Sequence, residues 1–280
     1  MWDCEKIIDL CRRSAAIALR YYNAPPIELK SDKSVVTAAD KEVENLLTAE
    51  LTCDHSYFIG EETVGGRGES YIAEALQADR CWIVDPIDGT APYSCMLPAW
   101  GHSIALMEHG KITEGAIYLP VQDELFITDG DRVRHVTGLQ TAAPKSEFFR
   151  FPPAGITTAK PVAMPQYFVK SGTISFDNVA LSLCGCVGAA YFVMTGKFLG
   201  YLAEVKLWDI AAVGAIYLRG GYTGITEYGR TFDLVVNREN YNLDPASPDR
   251  WRLRGATAFA ANREICDFIL AHVHRGEETK

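Results

Sequence analysis

The chain has 280 residues, 48% hydrophobic and 22% charged, with a net charge of −9, which is enough for one large domain or two medium ones with a sizeable core. The acidic balance argues against a nucleic-acid-scanning surface, which needs clustered Lys and Arg. The longest apolar run, 179–194, is broken by Ser182 and Gly188 and falls short of the ~18–20 residues that cross a bilayer. Eight scattered cysteines form no C-x-x-C pair, and the start from Met1 to Lys6 is mixed in charge. Both features predict a cytoplasmic protein without a signal peptide.

Residues 3–22 read as an amphipathic helix, with Ile7, Leu10, Cys11, Ser14, Ala15, Ala18 and Leu19 on one face and Pro25-Pro26 ending it. Thr37-Ala38-Ala39-Asp40 resembles a capping box, and the helix it opens carries Val43, Leu46, Leu47 and Leu51 on one side. Tyr57-Phe58-Ile59 is a short strand running into Glu61-Glu62, and 65–68 is a glycine-rich loop. Cys81-Trp82-Ile83-Val84 reads as the end of a buried strand, followed by Asp85-Pro86-Ile87-Asp88-Gly89-Thr90. Strands are predicted over 103–107, 112–118 and 124–128, and a Pro-, Ala- and Thr-rich stretch over 138–163 marks the expected domain junction. In the second half, 176–195 reads as an apolar helix rich in small residues and 209–218 as a helix ended by Gly220-Gly221. Strands over 223–226 and 256–260 and a helix over 262–273 complete the chain. The layout is α+β followed by α/β, with an N-terminal unit over 1–145 and a C-terminal unit over 146–280.

The chemistry concentrates in three acidic segments: Glu61-Glu62, Asp85 to Thr90, and Trp208-Asp209. A strand ending at Asp85 and turning at Pro86-Ile87 can aim Asp85 and Asp88 at one point, as a hard, oxygen-seeking divalent cation requires. Gly89 lets the backbone approach closely, and a helix starting at Thr90 would offer the Gly89 and Thr90 amides to an anion. Glu61, Asp85, Asp88 and Asp209 together carry −4, which two Mg²⁺ cancel. Without a cation, each pair of carboxylates at 4 Å repels by ~4 kcal/mol at an effective dielectric constant near 20.

Taken alone, the Asp-Pro-Ile-Asp-Gly-Thr string is equally a surface turn, Glu61-Glu62 a solvated pair and Asp209 a helix cap. It is their joint placement at strand ends and helix starts that points to one site. The DxDxT motif of aspartyl-phosphate enzymes, a cysteine-phosphatase loop and a Walker A loop are all absent. Cys184-x-Cys186 reads as packed small residues rather than a soft-metal site, and His272-Val273-His274 as a solvated helix end.

Phe58-Ile59-Gly60-Glu61-Glu62, Trp82 to Thr90 and Trp208-Asp209-Ile210-Ala211-Ala212, with Val36-Thr37-Ala38-Ala39-Asp40 upstream, resemble the ordered motifs of the inositol monophosphatase family of Mg²⁺-dependent, lithium-sensitive phosphatases. The resemblance implies a layered αβαβα sandwich of the inositol monophosphatase/fructose-1,6-bisphosphatase type. It implies a first Mg²⁺ held by Glu61, Asp85 and the Ile87 carbonyl, a second by Asp85, Asp88 and Asp209, and a weaker third near Glu61 and Glu62. Thr90, bonded to Asp40, would orient the attacking water, and Asp88 with the Gly89 and Thr90 amides would hold the phosphate. Lys30 or Lys33 would match a lysine near the site.

The implied partner is a small phosphorylated metabolite, with no membrane or nucleic acid, and the implied assembly is a homodimer. The substrate side departs from the family pattern: the pocket segment falls on Cys184-Gly185-Cys186, and the hydroxyl-binding glutamate falls on Leu202, with Glu204 two residues on. Ala91-Pro92-Tyr93 replaces Thr-Asn-Phe. The expectation is therefore a phosphomonoesterase using metal-activated water on an inositol monophosphate-like or sugar phosphate. The alternatives are a phosphoadenosine phosphate or NADP phosphatase, a fructose-1,6-bisphosphatase, a histidinol-phosphatase, and a non-catalytic binding protein on the same fold.

Overall fold

A computed structural model describes residues 2–23, 27–29, 35–52 and 56–276. Pro25, Pro26, Lys30 and Lys33 lie outside these residues. Helix α1 (Cys4–Tyr22) starts where the Asp3 carboxylate accepts the amides of Glu5 and Lys6. It buries Ile7, Leu10, Cys11, Ala15 and Ala18, the apolar face that the 3.6-residue period predicts. Short strands β1 (Ile27–Leu29) and β2 (Val35–Thr37) pair antiparallel before α2 (Ala38–Leu51).

Then come β3 (Tyr57–Gly60), a 3-10 turn (Val64–Gly66), α3 (Glu69–Ala75), β4 (Cys81–Asp88), α4 (Thr90–Ser94), β5 (Gly101–Glu108), β6 (Lys111–Leu119), β7 (Glu124–Asp129), β8 (Arg132–Thr137) and β9 (Lys145–Phe148). These strands form one sheet in sequence order, β3 to β9. β3 runs parallel to β4, as the α3 crossover requires, and every later pairing is antiparallel.

The remaining elements are β10 (Val162–Ala163), α5 (Gln166–Ser171), β11 (Thr173–Ile174), β12 (Ala180–Leu181), α6 (Cys186–Met194), β13 (Gly200–Ala203), α7 (Leu207–Arg219), β14 (Thr223–Thr226), β15 (Thr257–Ala260), α8 (Arg263–His272) and β16 (Val273–His274). A second sheet has the order β12-β10-β13-β15-β14. Its first three strands are parallel, and β15 is antiparallel to β13 and β14. The stretch 138–163 therefore supplies one strand to each sheet, β9 and β10.

Three apolar cores separate the layers. α1 and α2 cover one face of the large sheet, with Leu10, Val43 and Leu47 against Trp82, Val84 and Ile104. α6 and α7 lie between the two sheets. α8 covers the outer face of the small sheet, with Ile265 and Ile269 against Ile225 and Ala258. The result is the expected αβαβα order. Among the described residues no helix is long and apolar enough to cross a membrane.

The helix expected over 176–195 is corrected. Only Cys186–Met194 is helical. An all-apolar run has no period to separate strand from helix, and long-range pairing decides: the amides of Val162 and Met164 bond to the carbonyls of Val179 and Leu181, making 180–181 a strand. Gly185, in an extended conformation, then starts the helix. His272 ends α8, while His274 lies on β16, paired with Thr173.

Candidate active site

The site begins with a phase problem in β4. Successive strand residues face opposite sides of a sheet, so residues three apart, such as Asp85 and Asp88, should point to opposite faces. Cys81 and Ile83 face the α6/α7 layer, and Trp82 and Val84 face α1/α2. Between Asp85, paired with Ser103, and Asp88, paired with Gly101, the ladder shifts register. Two residues of β4, Pro86 and Ile87, stand opposite the single His102. That is a β-bulge, and the extra residue reverses the alternation.

Ile87 consequently joins Trp82 and Val84 in the α1/α2 core, and Asp85 and Asp88 face α7 together. Pro86, which has no amide proton for a ladder, is tolerated in an interior strand because it occupies the bulge. The Asp85 carboxylate accepts the Ile87 amide at 3.0 Å. From the other face, His102 Nδ1 lies 2.5 Å from the Pro86 carbonyl.

α7 brings the third carboxylate. A Cβ on Gly115 would stand 2.6 Å from the Ala212 carbonyl oxygen, so glycine here and the small Ala211-Ala212 of α7 let the helix lie close on the sheet. Ser103, the partner of Asp85 in the ladder, donates its hydroxyl to the Trp208 carbonyl at 2.9 Å and fixes the start of the helix. Asp209, in the first turn of α7, accepts the Lys206 amide at 2.9 Å. Carboxylate oxygens of Asp85, Asp88 and Asp209 lie within 4.8 Å of one another.

Asp88 receives two further bonds, from the amides of Cys186 at 2.9 Å and Val187 at 2.6 Å. The N-terminus of α6 thus supplies favourable dipoles to a buried anion. Gly89, with φ +83° and a would-be Cβ 2.9 Å from the Ala99 carbonyl oxygen, turns the chain into the single-turn α4. The Thr90 hydroxyl there lies 3.2 Å from Asp40 Oδ1 and 3.0 Å from the Ile87 carbonyl. Asp40, fully buried, is held by the amide of Thr37 at 2.7 Å and by its hydroxyl at 2.5 Å.

The electrostatics are those of an uncompensated acidic cluster. Burial, then the charges of Glu61, Asp88 and Asp209, push Asp85 well above the usual carboxylate range. Burial and Asp209 raise Asp88 to about 8 against the pull of its two amide bonds. Burial and Glu61 raise Asp209 to about 7. Burial raises Asp40 as well, opposed by its bonds to Thr37. Carboxylates that resist ionisation beside one another are stabilised as anions by a cation among them. The donors are all oxygens, which fits a hard divalent ion.

These residues line a cavity of about 580 Å³, within the range of small-molecule sites. Glu61, Asp85, Ile87, Asp88, Gly89, Thr90 and Asp209 all contribute to its wall. So do Cys184, Gly185, Cys186 and Glu204. One expectation is corrected. Leu202 is only 1% exposed and packs in the α8 core. Alternation along β13 turns Tyr201 and Ala203 toward the α6/α7 layer and Leu202 away from it; Glu204, beyond the end of β13, carries the carboxylate at the cavity, paired with Arg275 at 2.8 Å. Glu62 is absent from the cavity wall. The turn at Glu61-Glu62 is directed by Glu44, whose buried carboxylate accepts the Glu62 amide at 3.0 Å.

Sequence reasoning missed Glu44, His102, Ser103, Lys206 and Arg252, the last two being cavity-lining cations. The signal available for His102 and Ser103 was their position in the strand that follows the acidic motif.

The profile of the inositol monophosphatase family matches residues 5–248. The chain belongs to the inositol monophosphatase family. It is 30% identical over 187 residues to an uncharacterized protein of Sinorhizobium fredii, spanning 66% of this chain and 64% of that one. To Inositol monophosphatase 2 of Solanum lycopersicum it is 29% identical over 234 residues, 78% of this chain and 84% of that one. The fold matches the solved structure of an IMPase from Thermotoga maritima with a TM-score of 0.69 at 18% identity, covering 96% of this chain and 95% of that one.

Proposed function

We propose that this family member is a Mg²⁺-dependent phosphomonoesterase acting on a small phosphorylated metabolite, of the inositol monophosphate or sugar phosphate kind. The observation that carries the reading is the convergence of Asp85, Asp88 and Asp209 within 4.8 Å beside the Thr90–Asp40 pair, at the wall of one cavity. Glu61, Asp85 and the Ile87 carbonyl would hold one ion, and Asp85, Asp88 and Asp209 a second. When bound, divalent cations neutralise phosphate charge, acidify water and stabilise a leaving oxygen.

The chain's own residues do the rest. The Thr90 hydroxyl, its single proton shared between Asp40 Oδ1 and the Ile87 carbonyl, has lone pairs left to accept a hydrogen bond from the attacking water and so orient it. The Gly89 and Thr90 amides would hold the phosphate, and Lys206 and Arg252 add positive charge at the cavity wall. Glu204, held by Arg275, presents a fixed carboxylate to the hydroxyls of the organic part. Inhibition by Li⁺ and a cytoplasmic homodimer belong to the same proposal, on the strength of the family.

The test is phosphate release from a panel of inositol, sugar, nucleotide and histidinol phosphates, with Mg²⁺ and with EDTA. Release that requires Mg²⁺ supports the proposal. No release from any member of the panel refutes it and favours a binding role for the fold.

A further inference from the structure

The bulge at Pro86-Ile87 decides whether Asp85 and Asp88 share a face, so whatever fixes the bulge fixes the cluster. Two of its bonds lie on the cavity side and involve the cluster's own residues: the Asp85 carboxylate on the Ile87 amide, and the Thr90 hydroxyl on the Ile87 carbonyl. The third comes from outside. His102 is fully buried in the opposite core, with its ring near Trp100 and Tyr118.

We infer that His102 is a positioning residue for the cation site: its Nδ1–H holds the Pro86 carbonyl from the far face of the sheet and pins the bulge in the register that turns Asp85 and Asp88 together. The inference rests on the cation site of the proposed function and goes beyond it to a residue that touches neither cation nor substrate.

The chemistry of the ring supports this role. A carbonyl only accepts, so Nδ1 carries the proton and Nε2 is left as an acceptor. Nε2 is buried and, among the described residues, unpartnered. Leaving such an atom without a bond costs about 1–3 kcal/mol, and a leucine would fill the same space without that cost. Among the described residues, the one bond the imidazole makes is the one to the bulge. A slip of the extra residue by one position would send Asp88 toward α1 and α2 and away from the amides of Cys186 and Val187.

The test compares His102→Leu, His102→Asn and His102→Gln with the wild type, by calorimetric titration of the whole protein with Mn²⁺ and by thermal unfolding in EDTA. Asn places an amide N–H where Nδ1 stands, whereas Gln places it near Nε2. Loss of a partner behind a metal ligand weakens binding about 10–100-fold. The Leu and Gln variants should therefore bind Mn²⁺ at least about tenfold more weakly, with Asn restoring most of the affinity at an unfolding temperature similar to that of Gln. A purely structural histidine would lower the unfolding temperature of all three variants and leave the Mn²⁺ affinity of those that fold unchanged, which overturns the inference. If Leu does not fold, Asn against Gln decides: equal affinities overturn it. A wild type that binds no Mn²⁺ refutes the proposed function and this inference with it. Normal wild-type binding with unaffected variants refutes the role of His102 alone.

Discussion

Replacing Asp85 by Asn separates charge from shape. The Ile87 amide bonds to Asp85 Oδ1, and an asparagine oxygen accepts that bond equally, so the bulge should persist. What disappears is an ionisable carboxyl within 4.8 Å of two others, one that burial and its neighbours keep from releasing its proton freely in the cation-free protein. At an effective dielectric constant near 20, each repulsion between ionised neighbours at that distance is about 3.5 kcal/mol. Asp88 and Asp209, with values of about 8 and about 7, are largely ionised only at alkaline pH. In EDTA at pH 8 the variant should therefore be more stable than the wild type, by about 2–4 kcal/mol after allowing for partial protonation. For a chain of this size that raises the unfolding temperature by several degrees, at about 2–4 °C per kcal/mol.

With divalent cation the order reverses. Losing one attraction of about 3.5 kcal/mol weakens a cation about 300-fold or more, and phosphate release should fall at least in proportion at limiting Mg²⁺. The assay is thermal unfolding with EDTA and with Mg²⁺ from pH 5 to pH 8, beside phosphate release. A variant that is less stable than the wild type in EDTA at pH 8, yet releases phosphate normally with Mg²⁺, would show that the three carboxylates do not act as one charged cluster.

The same raised carboxylates set a pH dependence. Between the ordinary aspartate value of 3.8 and the raised values of about 7 and about 8, the folded cation-free protein holds protons that the unfolded chain has released. Their contribution to stability is complete below pH 3.8 and is lost as pH rises through about 7–8. The advantage of Asp85→Asn over the wild type in EDTA should accordingly grow from pH 5 to pH 8, and saturating Mg²⁺ should remove that trend; a difference independent of pH in EDTA contradicts it. Thr90→Val removes the hydroxyl 3.2 Å from Asp40 and 3.0 Å from the Ile87 carbonyl, while the three carboxylates stay and the Asp85 and His102 bonds still hold the bulge. It should lower kcat by about 100-fold, the scale of a lost proton-handling group, while calorimetric Mn²⁺ affinity stays within a few-fold. A matching loss of Mn²⁺ affinity would place the hydroxyl in cation binding instead.

The sequence by itself pointed to the residues proposed to carry the chemistry. The acidic pairs stand at strand ends and helix starts, and periodicity found α1, α7, α8 and the central strands, because these depend on residues three or four apart or on strict alternation. The tertiary structure decided how the chemistry is aimed. Asp85 and Asp88 share a face only through a register shift against β5, and Asp88 is held by amides about a hundred positions away. The apolar run over 176–195 became strand, loop and helix because β10 offered it a partner. Glu204, and not Leu202, reached the cavity because Leu202 is held within β13 against α8 while Glu204 stands beyond the strand's end. Such outcomes turn on which strand lies beside which, and on one extra residue between two ladder pairs. That is long-range information, which no local window of sequence contains.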